Sequence, residues 1–546
     1  MKGPLVLTAF VVCLLGTTAA LDRLVIKGSK FFNSRTGEQF YFKGIAYQPQ
    51  DEDNSTRDPL ADTEACHRDI KVFKDLGLNS IRVYDVNYEN NHEECMRALE
   101  EAGIYLFLDI PNSTNAINRA DPTWDLDLFN HYKNKIDAFA EHSNIAAFLI
   151  GNEVTNSIST TPSSAYVKAA TRDIKAYIRS LGKEIPVGYA DNDDPAVAKN
   201  LVPFFVCGDD PLAQIDFYAI NTYRWCGKEA TFQTSGYSIL TEKFRNFSMP
   251  VLLSEYGCNI VRPRTFSEVR SIFGPDMQDV FSGGFMYEYS QETNDYGIVK
   301  IPGSGDSVTR YIDFDDFRRE IRNASPKGVN FEHYNPAKSV QRCPAVSEEW
   351  QTSSKALPPT PNEQACQCMF NSLECALSSD YSDSEGKILG DFLGYVCGEN
   401  PDACAEVSGF TKTGQYGIYS GCSAQQRSSY IINANYLAQN RNRNACKIDG
   451  VSAKIKPRSS AAVQRKCENF ASTSAMKPHD FTDTKGHVGR NSNSISSKDF
   501  GALAKYKNSD NDMDSMSDSQ SGTAESIRAM FLLTTIISAC LAWYSL

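Results

Sequence analysis

Between Leu21 and about Asn335 the chain alternates short, almost wholly apolar runs with longer amphipathic stretches. Eight of the runs read as strands: Phe40 to Ala46, Ser80 to Tyr84, Ile104 to Ile110, Ala146 to Gly151, Pro186 to Ala190, Ile215 to Ile220, Pro250 to Glu255 and Gly284 to Tyr289. Runs this short and this apolar suit strands buried on both faces of a parallel sheet. Between them apolar residues recur at helical spacing, as in Cys66, Ile70 and Phe73, and again in Cys95, Leu99 and Ala102. Eight strands with intervening helices in about 315 residues predict an α/β fold, a (β/α)8 TIM barrel over residues 21–335. A doubly wound open sheet is the alternative, but the Gly-x-Gly-x-x-Gly turn expected after its first strand is absent from the sequence.

The pattern changes at both ends and beyond the barrel. Met1-Lys2, the apolar run Leu5 to Leu15 and the small residues Thr18-Ala19-Ala20 read as a signal peptide over 1–20. The apolar stretch Ala529 to Leu546 follows the small residues Ser521, Gly522, Thr523 and Ala524, the layout of a GPI-attachment signal over 522–546 with Ser521 as attachment residue. A C-terminal transmembrane anchor is the alternative, disfavoured because no basic residues follow the apolar run. Residues 336–363, with Pro358, Pro359 and Pro361, read as a linker. Residues 364–470 read as a small cysteine-rich module, α+β in type, and 471–521, rich in Ser, Asn, Asp, Lys and Gly, as a disordered spacer.

Of the 16 cysteines, Cys13 and Cys540 fall in the ends expected to be removed, which leaves an even 14. In an oxidising compartment that implies disulfides. The one close pair, Cys366-x-Cys368, does not have zinc-knuckle spacing, so no metal is expected. Cys66 and Cys95 sit on consecutive predicted helices, and Cys226 and Cys258 follow adjacent predicted strands, so each suggests a local bridge. Cys207 could then reach Cys343, although spacing alone leaves other connectivities open. Asn54, Asn112, Asn246 and Asn323 head Asn-x-Ser/Thr triplets and are candidate glycosylation sites. The formal charge of −12 argues against nucleic acid and anionic lipid surfaces as partners and suits a neutral polymer.

Two segments about a hundred residues apart carry the candidate chemistry: Ile150-Gly151-Asn152-Glu153-Val154 and Leu253-Ser254-Glu255-Tyr256-Gly257. Each sets a glutamate at the end of an apolar run, on the fourth and seventh predicted barrel strands. Carboxylates at the C-terminal ends of barrel strands face the active site. Two facing one pocket can break a glycosidic bond by double displacement, one as acid and one as nucleophile, about 5–5.5 Å apart. Taken singly, each glutamate reads as an ordinary solvated or salt-bridged strand end; the pair on these two strands of a secreted barrel reads as catalytic.

These segments, with Ile81-Arg82-Val83-Tyr84 and Asn221-Thr222-Tyr223-Arg224-Trp225-Cys226, closely resemble the GPI-anchored fungal β-1,3-glucanosyltransferases of glycoside hydrolase family 72. The cysteine-rich segment resembles the family 43 carbohydrate-binding module attached to one subfamily. The resemblance implies an enzyme that cuts an internal β-1,3-glucan linkage, holds the product as a glycosyl-enzyme and passes it to the non-reducing end of another glucan. It implies Glu153 as acid/base and Glu255 as nucleophile, with Tyr84, Asn152, Tyr223, Tyr287, Asp109 and Gln48 lining the site. It also implies the module pairs Cys366–Cys422, Cys368–Cys467, Cys375–Cys446 and Cys397–Cys404. Phe392, Tyr395, Tyr416 and Tyr419 are candidates for a glucan-facing surface, with core packing as the equal alternative, so the module either binds glucan or braces the barrel. No cofactor is implied. The partners expected are β-1,3-glucan donor and acceptor chains and, through the GPI anchor, the outer leaflet of the plasma membrane or the cell wall; a monomer is expected. The alternatives are a secreted hydrolytic β-1,3-glucanase with the same two glutamates and a non-catalytic wall-glucan-binding protein.

Overall fold

The computed structural model describes residues 20–50, 57–301, 307–336, 341–378, 386–458 and 460–474. Residues 1–19 of the expected signal peptide, Asn54, the spacer beyond Ser474, Ser521 and the expected GPI signal lie outside the described residues.

An antiparallel sheet of three short strands opens the fold: β1 (Leu24–Lys27), β2 (Lys30–Asn33) and β3 (Gln39–Phe40). The barrel strands follow: β4 (Phe42–Ala46), β5 (Ser80–Val83), β6 (Tyr105–Asp109), β7 (Ile145–Asn152), β8 (Val187–Asn192), β9 (Phe217–Asn221), β10 (Val251–Tyr256) and β11 (Phe281–Met286). Each pairs in parallel with its sequence neighbour, and β11 closes on β4, giving the expected eight-stranded barrel. The helices around it are α1 (Thr63–Leu76), α2 (Glu93–Glu101), α3 (Leu126–Phe139), α4 (Ser163–Ser180), α5 (Pro195–Val206), α6 (Tyr237–Phe244), α7 (Glu268–Ile272) and α8 (Ile312–Asn323). Sequence chemistry sets their ends: Asp62 caps α1 by accepting from Ala65 N, and Asp125 caps α3 by accepting from Leu128 N.

Two strand boundaries differ from expectation. The run beginning at Phe40 is split, because Gln39–Phe40 pairs with β2 and only Phe42 onward enters the barrel. The last strand begins at Phe281 rather than Gly284. The strand thus takes in Phe281, Ser282 and Gly283 ahead of the expected start, and a Cβ on Gly283 or Gly284 would lie within 2.5 Å of a backbone oxygen of a neighbouring strand, so close strand approach requires both glycines.

One end of the barrel interior is filled by apolar side chains. Phe42, Phe107, Leu149, Phe217, Leu252 and Phe285 form one cluster with Phe31 from β2. The Phe31 ring stands 4.9 Å from Phe42 and 5.8 Å from Phe217 and plugs the N-terminal mouth. Side chains alternate along a strand, so the inward series Tyr105, Phe107, Asp109 and Phe217, Ala219, Asn221 begin apolar and end polar at the opposite mouth.

A small hairpin, β12 (Val299–Lys300) with β13 (Thr309–Arg310), precedes α8. The cysteine-rich module is built from α9 (Glu363–Ser372), β14 (Cys375–Leu377), α10 (Gly386–Glu399), α11 (Asp402–Ala405), β15 (Gly409–Phe410), β16 (Gln415–Tyr416), α12 (Ala424–Ala438), β17 (Ala453–Ile455) and α13 (Ala461–Ser474). Its disulfides join Cys366 to Cys422, Cys368 to Cys467, Cys375 to Cys446 and Cys397 to Cys404. Those of the barrel join Cys66 to Cys95, Cys207 to Cys343 and Cys226 to Cys258. Helix α13 continues to Ser474, past the expected start of the spacer.

The described part of the expected linker is not a free tether. Trp350 and Thr352 are fully buried, Trp350 packs 5.2 Å from the Phe204 ring, and Thr352 Oγ1 donates to Thr161 O. Arg172 on α4 donates to Pro358 O and Thr360 Oγ1. Prolines stiffen this strap, and barrel groups bond it at Gln351, Thr352, Pro358 and Thr360. The module itself docks on the start of α3: Leu126 belongs to the module's apolar core, its N–H donates to Gly421 O, and buried Arg427 faces buried Asp125 at 3.4 Å.

Candidate active site

The polar mouth of the barrel gathers charged side chains around one buried guanidinium. Arg82, on β5, is fully buried. Its Nε and Nη2 donate to the two oxygens of Asp109 at 3.0 and 2.8 Å, Nη2 also reaches Asn152 Oδ1 at 3.1 Å, and Nη1 reaches Glu255 Oε1 at 3.1 Å. A buried guanidinium needs this saturation of its donors. The neighbouring carboxylates, Asp109 foremost, hold its pKa above the ordinary value despite burial.

Glu255 is buried at the end of β10. Besides Arg82, Tyr84 Oη donates to Oε1 at 3.0 Å and Tyr223 Oη to Oε2 at 2.6 Å, so both oxygens accept strong hydrogen bonds. Burial raises its pKa; Arg82 and the two tyrosine hydroxyls pull the other way, and the nearby charge of Glu153 pushes it up further. Glu153 follows β7 with a left-handed backbone (φ 50°). Asn221 Nδ2 donates to Glu153 Oε1 at 2.8 Å and to Asn152 Oδ1 at 3.0 Å, and Asn221 pairs in register with Glu255. Asn221 and Arg82, both bonded to Asn152, therefore link the two glutamates across the mouth.

Register shifts lie just before both glutamates, between Leu149 and Asn152 and between Leu253 and Glu255. Such bulges re-aim a side chain at a barrel rim. Beyond Glu255 the chain turns at Gly257 (φ 117°), a conformation that favours glycine.

Four tyrosines form one side of the mouth. Tyr287 stands edge-on to Tyr84, Tyr223 and Tyr296 at 6.5, 6.2 and 5.2 Å, and Tyr296 packs on Tyr223 at 5.3 Å. Half-buried rings of this kind can pack on the apolar faces of pyranose sugars.

Two expected glucan contacts are instead turned to the protein. Gln48 has its amide oxygen taken by Tyr84 N and Asp85 N and its nitrogen bonded to Arg57 O, so it holds the loop carrying Tyr84. Asp109 is buried beneath Arg82 and balances its charge. Arg82, Asn221 and Ser254 lie inside the sequence motifs, but no role for them follows from the sequence, and Tyr296 lies outside those motifs; Ser254 Oγ donates to Asn221 Oδ1 at 2.7 Å and orients that amide. The signal for Arg82 was a single charge inside an otherwise apolar strand, and for Asn221 a polar end to an inward series.

Among the expected module surface residues, only Tyr395 is strongly exposed (65%); Phe392 packs partly against the core, Tyr419 is buried, and Tyr416 meets Tyr166 of the barrel. Asn246 and Asn323 are exposed, whereas half-buried Asn112 uses its carbonyl oxygen in a local turn with Thr114 and Asn115. Among the described residues no group of three or more His, Cys, Asp or Glu side chains is arranged to hold a metal ion.

Comparison with known proteins agrees with this arrangement. The family profile described as glucanosyltransferase (glycoside hydrolase 72) matches residues 14–325, and the X8 domain profile matches 373–453. Protein EPD1 of Candida maltosa is 42% identical over 84% of this chain and 82% of its own. The 1,3-beta-glucanosyltransferase gas1 of Schizosaccharomyces pombe is 38% identical over 89% of both chains. The structure of Saccharomyces cerevisiae Gas2p in complex with laminaripentaose superposes with a TM-score of 0.73 at 39% identity, covering 80% of this chain and 97% of that one.

Proposed function

The chain belongs to the glucanosyltransferase family of glycoside hydrolases, family 72, and from that footing we propose how its own residues act. It is a β-1,3-glucanosyltransferase working by retaining double displacement. The observation that carries the assignment of roles is the unequal treatment of the two glutamates. Glu255 accepts from Arg82, Tyr84 and Tyr223, which stabilises a carboxylate at its point of attack. Glu153, held by Asn221, is left to carry and deliver a proton.

In the first step Glu153 protonates the glycosidic oxygen while Glu255 attacks the anomeric carbon. The C–O bond to the reducing-end portion breaks and an ester to Glu255 forms. In the second step Glu153 takes the proton of a hydroxyl at the non-reducing end of an acceptor glucan. That oxygen displaces Glu255 and a new β-1,3 linkage results. Asn152, Tyr84, Tyr223 and Tyr287 bind the sugar at this centre, while Gln48 and Asp109 support Tyr84 and Arg82.

The X8 module, read as a family 43 carbohydrate-binding module, braces the barrel; its burial of Leu126 and its ion pair with Asp125 support that role. The secretory signal, the GPI anchor at Ser521, a cell-surface location and a monomeric state belong to the same proposal and rest on the sequence pattern of the two ends and the disulfide content.

Incubation of the full secreted chain with a reduced laminarioligosaccharide tests the activity. Products longer than the substrate are expected; shorter products alone would establish a hydrolytic glucanase instead.

A further inference from the structure

Arg264 lies in the loop after β10, almost fully buried. Its Nη1 donates to Gly257 O at 3.4 Å and Tyr287 O at 3.1 Å, and its Nη2 to Tyr296 O at 2.6 Å and Gly297 O at 3.4 Å. Its Nε donates to Asp313 Oδ2 on α8 at 2.9 Å, and Asp313 also accepts from Arg262. A guanidinium has five N–H donors in a rigid plane, and these contacts engage all of them. Four carbonyls from three separate stretches of chain thus converge on one side chain.

Two of those carbonyls belong to Tyr287 and Tyr296. Their rings pack on Tyr223, and Tyr223 donates to Glu255. The stretch from Gln291 to Gly297 is not part of the barrel ladder; backbone bonds tie it at Gln291, whose N–H donates to Val299 O, and at Tyr296, whose carbonyl accepts from Glu288 N, and the side chains of Arg264 and Asn259 add further anchors. We propose that Arg264, anchored by Asp313, is a positioning residue that fixes Tyr287 and Tyr296 as a rigid wall against Tyr223, and that this wall sets how the glycosyl-enzyme divides between a glucan acceptor and water. The inference rests on the transferase reading of Glu153 and Glu255. Its physical basis is that transfer requires the ester to meet an oriented sugar hydroxyl before water. A wall free to shift by about 1 Å exposes the ester and loosens the acceptor together.

Arg264→Lys keeps a cation beside Asp313, but three donors cannot reach four carbonyls and a carboxylate. Asp313→Asn keeps the guanidinium and removes its counter-charge. Each full-length variant is assayed with reduced laminarioligosaccharide, resolving longer from shorter products, alongside thermal melting and near-ultraviolet circular dichroism. For Arg264→Lys a rise of about five- to ten-fold in the hydrolysis share and a several-fold rise in KM are expected, with total cleavage at saturation changed no more than about three-fold. Asp313→Asn should move the same ratios in the same direction by a smaller factor.

Unchanged product ratio and KM in both variants would overturn the proposal. So would a fall in kcat alone that tracks the folded fraction, or failure of both variants to fold, since Arg264 would then serve folding only. A wild type giving only shorter products overturns the transferase reading itself, and the partition falls with it.

Discussion

The Nη1 of Arg82 lies 3.1 Å from Glu255 Oε1, with the guanidinium fully buried and the carboxylate 2% exposed. The same guanidinium grips Asp109 in a two-point contact. Two buried carboxylates thus share one buried cation, and removing the cation leaves both uncompensated. Arg82→Met is therefore expected to destabilise the fold by about 3–5 kcal/mol and to abolish turnover. Denaturant unfolding and activity of Arg82→Met and Arg82→Lys check this; wild-type stability in the Met variant would contradict it.

Glu153→Gln and Glu255→Gln should each reduce transfer by several orders of magnitude while leaving the melting temperature within a few degrees of wild type. Gln keeps the shape of both side chains, but it can neither release a proton nor form the ester. Substrates with a good leaving group need no proton, so they should still form the glycosyl-enzyme in Glu153→Gln and fail to do so in Glu255→Gln. Trapping of the labelled intermediate separates the roles, and the reverse pattern would exchange them.

Tyr223→Phe removes a charge-assisted hydrogen bond worth about 1.5–3 kcal/mol, a loss of roughly 10- to 100-fold in kcat/KM. It also removes one of the groups that hold the Glu255 pKa down against burial. Glu255 must be ionised to attack, and activity is lost as the pH falls through its pKa. The acid limb of the pH profile should therefore move to higher pH in Tyr223→Phe. A limb that stays in place while kcat/KM falls would assign Tyr223 to sugar binding alone.

Burial raises Glu288 to about 8 and Glu268 to about 7. Both bind protons more tightly folded than unfolded, so the stability they contribute is complete below an unfolded value of about 4.3 and is lost as the pH rises through the folded values. Buried His131, held down to about 4, acts in the opposite sense below about pH 6.5, and Lys168, lowered to about 8, does so at higher pH. Between about pH 6.5 and 8, stability should fall by about 1–2 kcal/mol through Glu288. Denaturant midpoints across that window should decline in the wild type and decline less steeply in Glu288→Gln, where Glu268 still contributes; parallel curves would remove Glu288 as a cause.

Leu126 lies at the start of a barrel helix yet in the apolar core of the module. Leu126→Asp places a charge in that core beside the buried Asp125. It should lower the melting temperature and expose the strap around Trp350 to proteolysis. Unaltered proteolysis would mean that barrel and strap stand without the module.

The eight-stranded barrel was legible in the amino-acid pattern, because eight apolar runs buried on both faces have few other ways to satisfy their backbones, and Glu153 and Glu255 stood out as strand ends. The sequence also marked Tyr84, Tyr223 and Tyr287, but not what Gln48 and Asp109 do, since a polar residue near a strand end reads alike whether it faces sugar or backbone. The remaining features depend on contacts between segments distant in sequence. The bulges that turn both glutamates inward arise from pairing with β8 and β9, which no single strand encodes. Arg82 and Arg264 act through partners up to 173 and 49 residues away, brought together only when the barrel closes. The proline-rich strap looks like a tether in sequence because the groups that capture it belong to the barrel: the Arg172 side chain, which donates to Pro358 O, and the Thr161 hydroxyl, which accepts from Gln351 N.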